Sequence, residues 1–485
     1  MPPLHPSLRA GHPTGLLGAE GFVQPNEDLL VLNPYDARPV ARVASGSEAD
    51  VADAVRGALR HRPPPPAAER AEVLERAARA VGDLREDFAR TICLEAGKPI
   101  AQARLEAERC VDTLTFSAAE ARTLAGEMVP MEGSHAGRGK LGMILREPVG
   151  VVGAIAPFNF PLNLVAHKVA PAIAAGCPVV LKPATSTPLS ALLLAEVLLD
   201  AGLPPGYLAV VTGGGRSVGG AIVDHPDVPL ISFTGSPAVG WEIRTRQPRK
   251  GVALELGNST PVIVADDADL EMAASRLATS GYTHAGQSCI SVQRIYVAEA
   301  IHERFVERFV AEVEGLRVGD PMDESTQVGP VIDDGSRARI VEWVEEALDG
   351  GAEALTGGDL DEHALRPIVL SGVTPRMRVS REEVFGPVVS VVPFADVGQA
   401  IDLANDSPYG LQAGIFTARV DRAIAWARRL RFGGVTINET PTFRADQQPY
   451  GGVKDSGNTR EGPRYAVRTM TEQRFVALTV PAEDS

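Results

Sequence analysis

Hydrophobic positions in the first quarter of the chain recur with the period of a helix. After the four prolines at 63–66, apolar residues step by three and four, and Gly97 and Pro99 follow the last of them. This spacing predicts one amphipathic helix that ends at Gly97, and a second helix up to about residue 123. The apolar stripe consists of Val73, Ala77, Val81, Leu84, Phe88 and Ile92. Residues 1–25 show no period and are expected to form an extended arm over the first domain.

From residue 143 the pattern changes to short apolar runs that alternate with helical segments. The predicted strands of this part are 149–156, 179–181, 208–211, 230–233 and 252–256. The predicted helices are 162–175, 188–201, a short one near 218–224 and one after Ser236. Five strand–helix alternations predict a parallel sheet covered on both faces. Such a sheet binds ligands at the carboxyl ends of its strands.

A second series of strands and helices begins at residue 262 and predicts a second domain. Its strands are predicted at 262–265, 292–297, 388–392, 415–417 and 435–438, and its helices at 301–316, 337–348, 399–405 and 423–430. Two stretches fit neither domain, 127–144 and the segment after Thr471. Both have the pattern of exposed strands, and since unpaired strand edges seek partners, they are expected to pair between subunits.

Composition and net charge exclude several classes of function. A chain of 485 residues is too long for one core, so two or three domains are expected. The net charge of -15 argues against nucleic-acid binding, which needs a basic face. Four cysteines form neither a disulfide framework nor a metal-binding pair, and the most apolar windows are far shorter than the ~20 residues that span a bilayer. A soluble cytoplasmic protein without a metal, membrane or nucleic-acid partner is expected.

Cys289 is the first candidate for a catalytic residue. A free cysteine is often a small buried hydrophobic residue. Gly286, Gln287 and Ser288 precede this one, however, and they are poor core material, whereas reactive thiols occur in polar surroundings. As a thiolate, Cys289 could add to a carbonyl carbon and form a covalent intermediate.

Two further polar residues stand at the ends of predicted strands. Asn159 follows a strand and is either a turn or cap residue or a side-chain donor for a developing oxyanion. Glu255 lies within an apolar run, where strand alternation could place it on a solvated face. A buried carboxylate there is costly unless it is paired or takes part in chemistry, such as activating water.

Three signals for phosphate binding are each weak. The glycine-rich turn at 213–219 follows a strand but lacks the G-x-G-x-x-G spacing. Ser236, after Thr234 and Gly235, could cap a helix that faces a pyrophosphate. Lys182 places a cation at the end of a strand. Glycine-rich turns are ordinary in α/β proteins, so these signals gain weight only together.

In combination and order, these stretches resemble the aldehyde dehydrogenase superfamily from about residue 25 to 480. The matching motifs are 156–161 (APFNFP), 181–184 (LKPA), 233–236 (FTGS), 254–257 (LELG), 286–289 (GQSC), 382–387 (EEVFGP) and 449–457 (PYGGVKDSG). Residues 441–444 (PTFR) resemble the branch of lactaldehyde, phosphonoacetaldehyde and non-phosphorylating glyceraldehyde-3-phosphate dehydrogenases.

The resemblance implies an α/β fold of two doubly wound parallel-sheet domains with a small β oligomerisation element. The dinucleotide-binding domain would comprise 1–125 and 148–257, the catalytic domain 258–456, and the oligomerisation strands 126–147 and 471–485. It also implies a homodimer or homotetramer. The reaction would be oxidation of an aldehyde to a carboxylic acid with NAD or NADP.

Residue roles follow from the same resemblance. Cys289 would form a thiohemiacetal and then a thioester, with the oxyanion held by Asn159 and the Cys289 amide, and Glu255 would activate water. Glu461 would be either a proton-relay carboxylate or a surface ion-pair residue. The cofactor contacts would be Ile155, Pro157, Lys182, Thr185, Gly215, Gly219, Phe233, Gly235, Ser236, Glu255, Glu383 and Phe385. The substrate contacts would be Ser288, Arg444, Arg109 and Phe160.

Two positions depart from the family pattern. Thr185 stands where many NAD-specific members have a glutamate that repels a 2′-phosphate, so NADP should be accepted. Ser288 stands where members that bind phosphorylated aldehydes have arginine, which favours a small polar or carboxylate-bearing aldehyde. Two alternatives remain: a CoA-acylating enzyme, against which Glu255 argues, and a non-catalytic binding or structural protein on the same fold.

Overall fold

The computed structural model describes residues 13–14, 16–18, 21–23, 28–357, 360–361 and 363–480. Its elements up to residue 255 are β1 (Pro13–Thr14), β2 (Leu16–Gly18), β3 (Gly21–Val23), β4 (Asp28–Leu32), β5 (Pro39–Ala44), α1 (Glu48–Leu59), α2 (Ala67–Asp83), α3 (Arg85–Ala96), α4 (Ile100–Thr123), β6 (Glu127–Val129), β7 (Lys140–Pro148), β8 (Val152–Ile155), α5 (Asn163–Ala175), β9 (Val179–Lys182), α6 (Leu189–Asp200), β10 (Leu208–Val210), α7 (Gly220–Asp224), β11 (Leu230–Thr234), α8 (Pro237–Arg246) and β12 (Gly251–Glu255).

The elements from residue 260 onward form a second series. They are β13 (Thr260–Val264), α9 (Leu270–Tyr282), β14 (Val292–Ala298), α10 (His302–Glu314), α11 (Asp334–Asp349), β15 (Glu353–Thr356), β16 (Leu360–Asp361), β17 (Ala364–Leu365), β18 (Ile368–Ser371), α12 (Arg378–Arg381), β19 (Val388–Phe394), α13 (Val397–Asn405), β20 (Gln412–Phe416), α14 (Val420–Ala427), β21 (Gly434–Ile437), α15 (Pro463–Thr469) and β22 (Thr471–Thr479).

Two seven-stranded sheets confirm the α/β fold of two parallel-sheet domains. The first has the order β12-β11-β8-β9-β10-β2-β3, and its five strands from β12 to β10 are parallel. The second has the order β15-β18-β19-β14-β13-β20-β21 and is parallel except for β15. Each sheet is built from near-continuous apolar strands because helices cover both of its faces. The domain boundaries expected from the sequence remain predictions.

The predicted helix after the prolines is in fact two helices. The chain leaves helical geometry at Leu84 (φ -94°, ψ 18°), which separates α2 from α3. The apolar period continues across this break because both helices pack on the same core, so periodicity alone did not reveal it. The end at Gly97 is confirmed, since this glycine adopts a left-handed conformation (φ 66°).

The two stretches that fit neither domain pair with each other within one chain. Strands β6, β7 and β22 form an antiparallel sheet in the order β22-β7-β6, in which Phe475 lies opposite Ile144. Sequence alone did not show that these two distant stretches meet within one chain. Pairing between subunits stays a prediction, because the described strands leave one edge of β22 without a neighbour.

The described parts of the N-terminal arm extend the first domain. Strand β2 pairs antiparallel with β10, with Leu17 opposite Val210, and β1 pairs with β5. The remainder of residues 1–25 lies outside the described residues. In the part of the chain that the structure describes, no helix has both the length and the apolar character needed to cross a membrane.

Candidate active site

A cleft of about 510 Å³ lies where the two large sheets approach each other. On one side it is lined by residues that follow strands β8, β9, β11 and β12, as expected for the carboxyl ends of a parallel sheet. On the other side it is lined by loops of the second domain. The lining residues include Pro157, Phe158, Asn159, Ala184, Gly235, Ser236, Glu255, Gly257, Cys289, Arg339, Trp343, Glu383, Phe385 and Tyr409. A smaller cavity continues beyond Cys289.

Cys289 sits on a tightly constrained loop between α9 and β14. His284, Ala285 and Gly286 all have positive φ (51°, 52° and 72°), which turns the chain sharply. Gln287 is fully buried and fastens the loop, because its side-chain carbonyl accepts a hydrogen bond from the Ile332 amide at 2.8 Å. The thiol at the tip of this loop is thereby presented to the cleft.

The Cys289 side chain is partly exposed, and its sulfur lies 3.0 Å from the phenolic oxygen of Tyr450. Burial raises the pKa of the thiol to about 12, against the lowering effects of the Tyr450 hydrogen bond and of Arg444. The resting Cys289 side chain is therefore a thiol, and its attack on a carbonyl would require that a base remove its proton.

Asn159 reaches across from the first domain to the cysteine loop. Its Nδ2 donates a hydrogen bond to the Gln287 carbonyl at 2.9 Å, and the residue is 3% exposed. One Nδ2 hydrogen remains for another acceptor beside Cys289, as an oxyanion donor requires. The alternative of a plain helix cap is not what the structure shows, since the N-cap of α5 is Leu162.

The loop that carries Asn159 is held by a buried ion pair. Glu106 Oε1 accepts hydrogen bonds from the amides of Leu162 (3.0 Å) and Asn163 (3.1 Å) at the start of α5. Its other oxygen pairs with Lys98, whose ammonium lies 3.6 Å from the centre of the Phe160 ring. A carboxylate at a helix N-terminus is stabilising, and here it also fixes the position of the preceding turn.

Glu255 is buried rather than on a solvated face. It ends β12, is 3% exposed, and neither carboxylate oxygen has a hydrogen-bond partner among the described residues. Burial, followed by repulsion from Glu461, raises its pKa well above the usual value. A buried carboxylate without partners costs stability, so its presence indicates a chemical role.

Glu461 is also buried, at 5% exposed, so the alternative of a surface ion-pair residue is wrong. Its two oxygens accept hydrogen bonds from Lys168 (3.2 Å) and Arg444 (3.0 Å). Burial alone would raise its pKa, but the charges of Lys168 and Arg444 outweigh burial and lower the pKa to about 2. Glu461 is thus an ionised partner of two cations beside Glu255.

The four predicted substrate contacts meet at the smaller cavity. Ser288, Arg444, Arg109 and Phe160 all line it, together with Glu255, Cys289, Tyr450 and Glu461. The guanidinium of Arg444 lies 3.9 Å from the centre of the Tyr450 ring, and its Nε has no partner among the described residues. Arg109 instead makes a two-point pair with Asp446 (3.2 and 2.9 Å), so it is less available to a ligand.

Four predicted cofactor contacts lie together to one side of the cleft and do not line it. The ammonium of Lys182 donates to the Pro183 carbonyl at 2.8 Å, and burial lowers its pKa to about 8. Thr185 donates to the Gly213 carbonyl at 2.9 Å, and the side chain of Lys182 passes close to Gly219. A Cβ added to Gly215 would have no heavy atom within 4 Å, so the packing of the chain does not require a glycine at this position.

Other predicted contacts surround the start of α8. Ser236 is the N-cap residue but its side chain makes no capping hydrogen bond, so the first turn faces the cleft with free donors. Gly235 lies against the Phe233 ring, where a Cβ would come within 2.7 Å of Cζ. This open helix N-terminus is suited to the pyrophosphate of a dinucleotide. Ile155 and Phe233 are buried, while Pro157 borders the cleft.

Glu383 and Phe385 enter the cleft from the second domain. Glu383 Oε1 accepts a hydrogen bond from the Asn258 amide at 2.9 Å, and burial raises its pKa to about 7. The Phe385 ring meets Phe158 edge-to-face at 5.8 Å. This arrangement fits a nicotinamide dinucleotide. The Glu383 carboxylate can accept from ribose hydroxyls, the Phe385 ring can pack against the nicotinamide ring, and both lie opposite the open N-terminus of α8.

Sequence reasoning missed three residues of the site, namely Tyr450, Lys168 and Asp446. Tyr450 belongs to the motif at 449–457, but the family resemblance indicated no role for it. Lys168 had a usable signal, because it is a charged residue in the middle of the largely apolar helix α5. Asp446, which pairs with both Arg109 and His167, had none. Among the described residues, no group of three or more histidine, cysteine or acidic side chains could hold a metal ion.

Comparison with known proteins agrees with this geometry. Residues 22–476 match the model of the aldehyde dehydrogenase family. The chain therefore belongs to that family, and it is an NAD(P)-dependent aldehyde dehydrogenase. This confirms the resemblance, the enzyme class and the use of NAD or NADP that the motifs predicted.

Three similar proteins illustrate the match. A 3-sulfolactaldehyde dehydrogenase of Priestia aryabhattai is 45% identical over 457 residues, which cover 94% of this chain and 95% of the relative. The structure of aldehyde dehydrogenase 21 from Physcomitrella patens with succinate has a TM-score of 0.94 and 38% identity, covering 97% and 99% of the two chains. The glyceraldehyde-3-phosphate dehydrogenase GapN of Methanocaldococcus jannaschii, complexed with NADP, has a TM-score of 0.90 and 38% identity, covering 94% and 100%.

Proposed function

We propose that Cys289, Asn159 and Glu255 oxidise a small aldehyde that carries a second anionic group, such as a sulfonate or carboxylate. The Cys289 sulfur attacks the carbonyl carbon after ionised Glu255 takes the thiol proton. Asn159 Nδ2–H and the Cys289 amide donate to the resulting oxyanion. NAD(P)+, when bound in the cleft, accepts the hydride, and a thioester is left on the sulfur. Glu255 then takes a proton from water as that water attacks the thioester, which releases the acid and the thiolate.

The charge around the smaller cavity carries the substrate proposal. Two cations, Arg444 and Arg109, line it, and a third, Lys168, pairs with Glu461 in its wall. The ionised carboxylates that pair with these cations are Glu461 and Asp446. In the resting enzyme the raised pKa of Glu255 favours its uncharged form, which then adds no negative charge as the aldehyde binds. A positive charge therefore remains next to Cys289 and, being buried, favours an anionic ligand. Arg444 Nε, which has no hydrogen-bond partner among the described residues, is a donor for it.

The names of the three similar proteins described above point in the same direction. Sulfolactaldehyde, succinate and glyceraldehyde 3-phosphate each bear an anionic group apart from the reacting carbon. This chain has Ser288 directly before the nucleophile, which cannot provide the two-point pair that arginine makes with phosphate. A sulfonate or carboxylate close to the aldehyde is therefore the preferred partner of Arg444.

An aldehyde panel with both cofactors tests the substrate. We expect sulfolactaldehyde and succinate semialdehyde to have a higher kcat/KM than lactaldehyde, and glyceraldehyde 3-phosphate to be poorer than either. Arg444→Gln should lower kcat/KM for the anionic aldehydes by about 10–100-fold, because an ionic hydrogen bond is lost. The value of kcat/KM for lactaldehyde should fall far less. Arg246→Gln, which removes a surface arginine paired with Asp224, is the matched control. Equal losses for charged and neutral aldehydes would contradict the proposal, and a rate that requires CoA would favour an acylating enzyme.

For the cofactor, we propose that NADP is accepted and preferred. Lys182 and Thr185 lie beside the turn at 213–219, and no acidic side chain replaces Thr185 to repel a 2′-phosphate. The ratio of kcat/KM for NADP and NAD measures this preference directly. Strict use of NAD would contradict it.

We propose a cytoplasmic homodimer or homotetramer. The free thiols of all four cysteines suit a reducing compartment. Among the described residues, strand β22 has a neighbour on one side only. Large apolar side chains are exposed on it and on the edge strand β21, among them Phe475 (52%), Leu478 (48%) and Ile437 (38%). Exposed apolar strand edges are typical of subunit contacts. Light scattering should show an oligomer that Phe475→Asp weakens, whereas a wild-type monomer would contradict the proposal.

A further inference from the structure

Tyr450 holds a phenolic hydroxyl directly at the nucleophile. Its oxygen lies 3.0 Å from the Cys289 sulfur, and the residue is 4% exposed. The ring packs with Ile290 and Leu411 and lies beneath the guanidinium of Arg444. Two backbone hydrogen bonds with Glu461, at 3.1 and 2.6 Å, fasten the same residue. Contacts of the ring and hydrogen bonds of the backbone thus hold the phenol in place.

The chemistry of the pair decides which partner donates. Burial raises the pKa of the Tyr450 phenol well above its usual value, so this group keeps its proton. The thiolate of Cys289 has no proton and can only accept. A hydrogen bond to the ionised form of a group stabilises that form and lowers the pKa. The contact with Tyr450 opposes the effect of burial on the Cys289 thiol in this way.

We propose that Tyr450 is a further catalytic residue, which donates its phenolic hydrogen to the Cys289 thiolate and so raises the reactive fraction of the nucleophile. The proposal rests on Cys289 being the nucleophile, as in the proposed function. Tyr450 forms and breaks no covalent bond: the thiol proton goes to ionised Glu255, and the sulfur electron pair forms the bond to carbon. In the thiohemiacetal the sulfur is uncharged, so the hydrogen bond weakens after attack.

The net effect on the rate can be estimated. A charge-assisted hydrogen bond is worth about one pH unit in the thiol pKa, which changes the thiolate fraction about tenfold. The intrinsic reactivity of a thiolate changes in the opposite sense by about threefold for the same shift, because its Brønsted coefficient is about 0.4–0.5. Loss of the phenolic hydroxyl should therefore slow attack at neutral pH by about threefold.

Alkylation of the enzyme by iodoacetamide without cofactor or aldehyde measures this effect apart from substrate binding. The other cysteines, Cys93, Cys110 and Cys177, are at most 1% exposed, so Cys289 dominates the reaction. In Tyr450→Phe we expect the alkylation rate at neutral pH to fall about threefold, and kcat/KM to fall with it. Fluorotyrosine at position 450, a stronger donor with nearly the same shape, should raise the alkylation rate. Because it keeps the ring and the hydroxyl, this second variant decides the matter if Tyr450→Phe fails to fold.

Two controls separate the possible failures. Tyr207→Phe removes another fully buried phenolic hydroxyl, in the first domain, and should leave alkylation unchanged. Cys289→Ala should abolish both alkylation and activity, and retained activity would refute the proposed function itself. Wild-type alkylation rates in folded Tyr450→Phe would overturn the role of Tyr450 alone. A loss confined to a higher KM for the aldehyde would also overturn it, since Tyr450 would then act as a substrate contact.

Discussion

The side-chain amide of Asn159 donates to the carbonyl of Gln287 at 2.9 Å, and this bond joins the two domains beside Cys289. Asn159 follows the third strand of the first sheet from its β12 edge, and Gln287 precedes the nucleophile by two residues. We propose that Asn159 both positions the cysteine loop and supplies a donor beside the thiol. These two roles can be measured separately.

Asn159→Ala should lower kcat/KM by about 10²–10³-fold, the usual cost of losing one oxyanion donor. The measurement is steady-state formation of reduced cofactor, with iodoacetamide alkylation of Cys289 alongside it. Alkylation should stay close to the wild-type rate if the loop keeps its place, because that reaction develops no oxyanion. A loss of less than about tenfold in kcat/KM would show that Asn159 is a structural residue only.

Glu255→Gln should separate the two halves of the reaction. The amide cannot take a proton from water, so the thioester should persist and steady-state turnover should fall by about 10²–10⁴-fold. Rapid mixing should still show a first turnover of reduced cofactor, although a slower one, followed by a stalled acyl-enzyme that mass spectrometry detects. Continued turnover at the wild-type rate would exclude Glu255 as the base.

Activity should rise with pH across the neutral and alkaline range. Burial and the charge of Glu461 raise the pKa of Glu255, and burial raises that of Cys289 to about 12. Since both groups act in their deprotonated forms, a raised pKa means that the active fraction grows as pH increases. A pH profile of kcat/KM measures this, and the rising limb that depends on Glu255 should be absent from Glu255→Gln. Activity that falls as pH rises from 6 to about 9 would contradict the assignment of both groups.

Gly286→Ala should disable the enzyme through the cysteine loop. Gly286 has φ 72°, a region that costs an alanine about 1–2 kcal/mol, and an added Cβ would overlap the carbonyl oxygen of Gly386. We expect a lower melting temperature and slower alkylation of Cys289. Gly133→Ala is the matched control, because a Cβ there meets nothing within 4 Å. Wild-type alkylation in Gly286→Ala would show that the loop is not constrained as described.

Thr185→Glu should reverse the proposed cofactor preference. A carboxylate at this position would repel a 2′-phosphate and pair with Lys182, so kcat/KM for NADP should fall by about 10–100-fold while that for NAD changes little. Both values come from the same assay with each cofactor at a saturating aldehyde concentration. Equal changes for the two cofactors would mean that residue 185 does not face the 2′ position.

Local sequence determined much of this protein. Strand and helix periods predicted five of the seven strands of each large sheet, because apolar runs and glycine ends are properties of neighbouring residues. The motifs around Cys289, Asn159 and Glu255 indicated the reaction, since its chemistry needs those residue types. Their roles as individual site residues remain predictions until the variants are measured.

Only the tertiary structure decided how charged and polar groups pair. It joined Asp446 to Arg109 across 337 positions and Tyr450 to Cys289 across 161, and it placed Glu461 between Lys168 and Arg444. It also paired β7 with β22, which lie far apart along the chain. Such contacts depend on how distant segments pack, which the spacing of residues along the chain does not specify. The protonation state of a buried group, and its availability to a ligand, likewise depend on its neighbours in space.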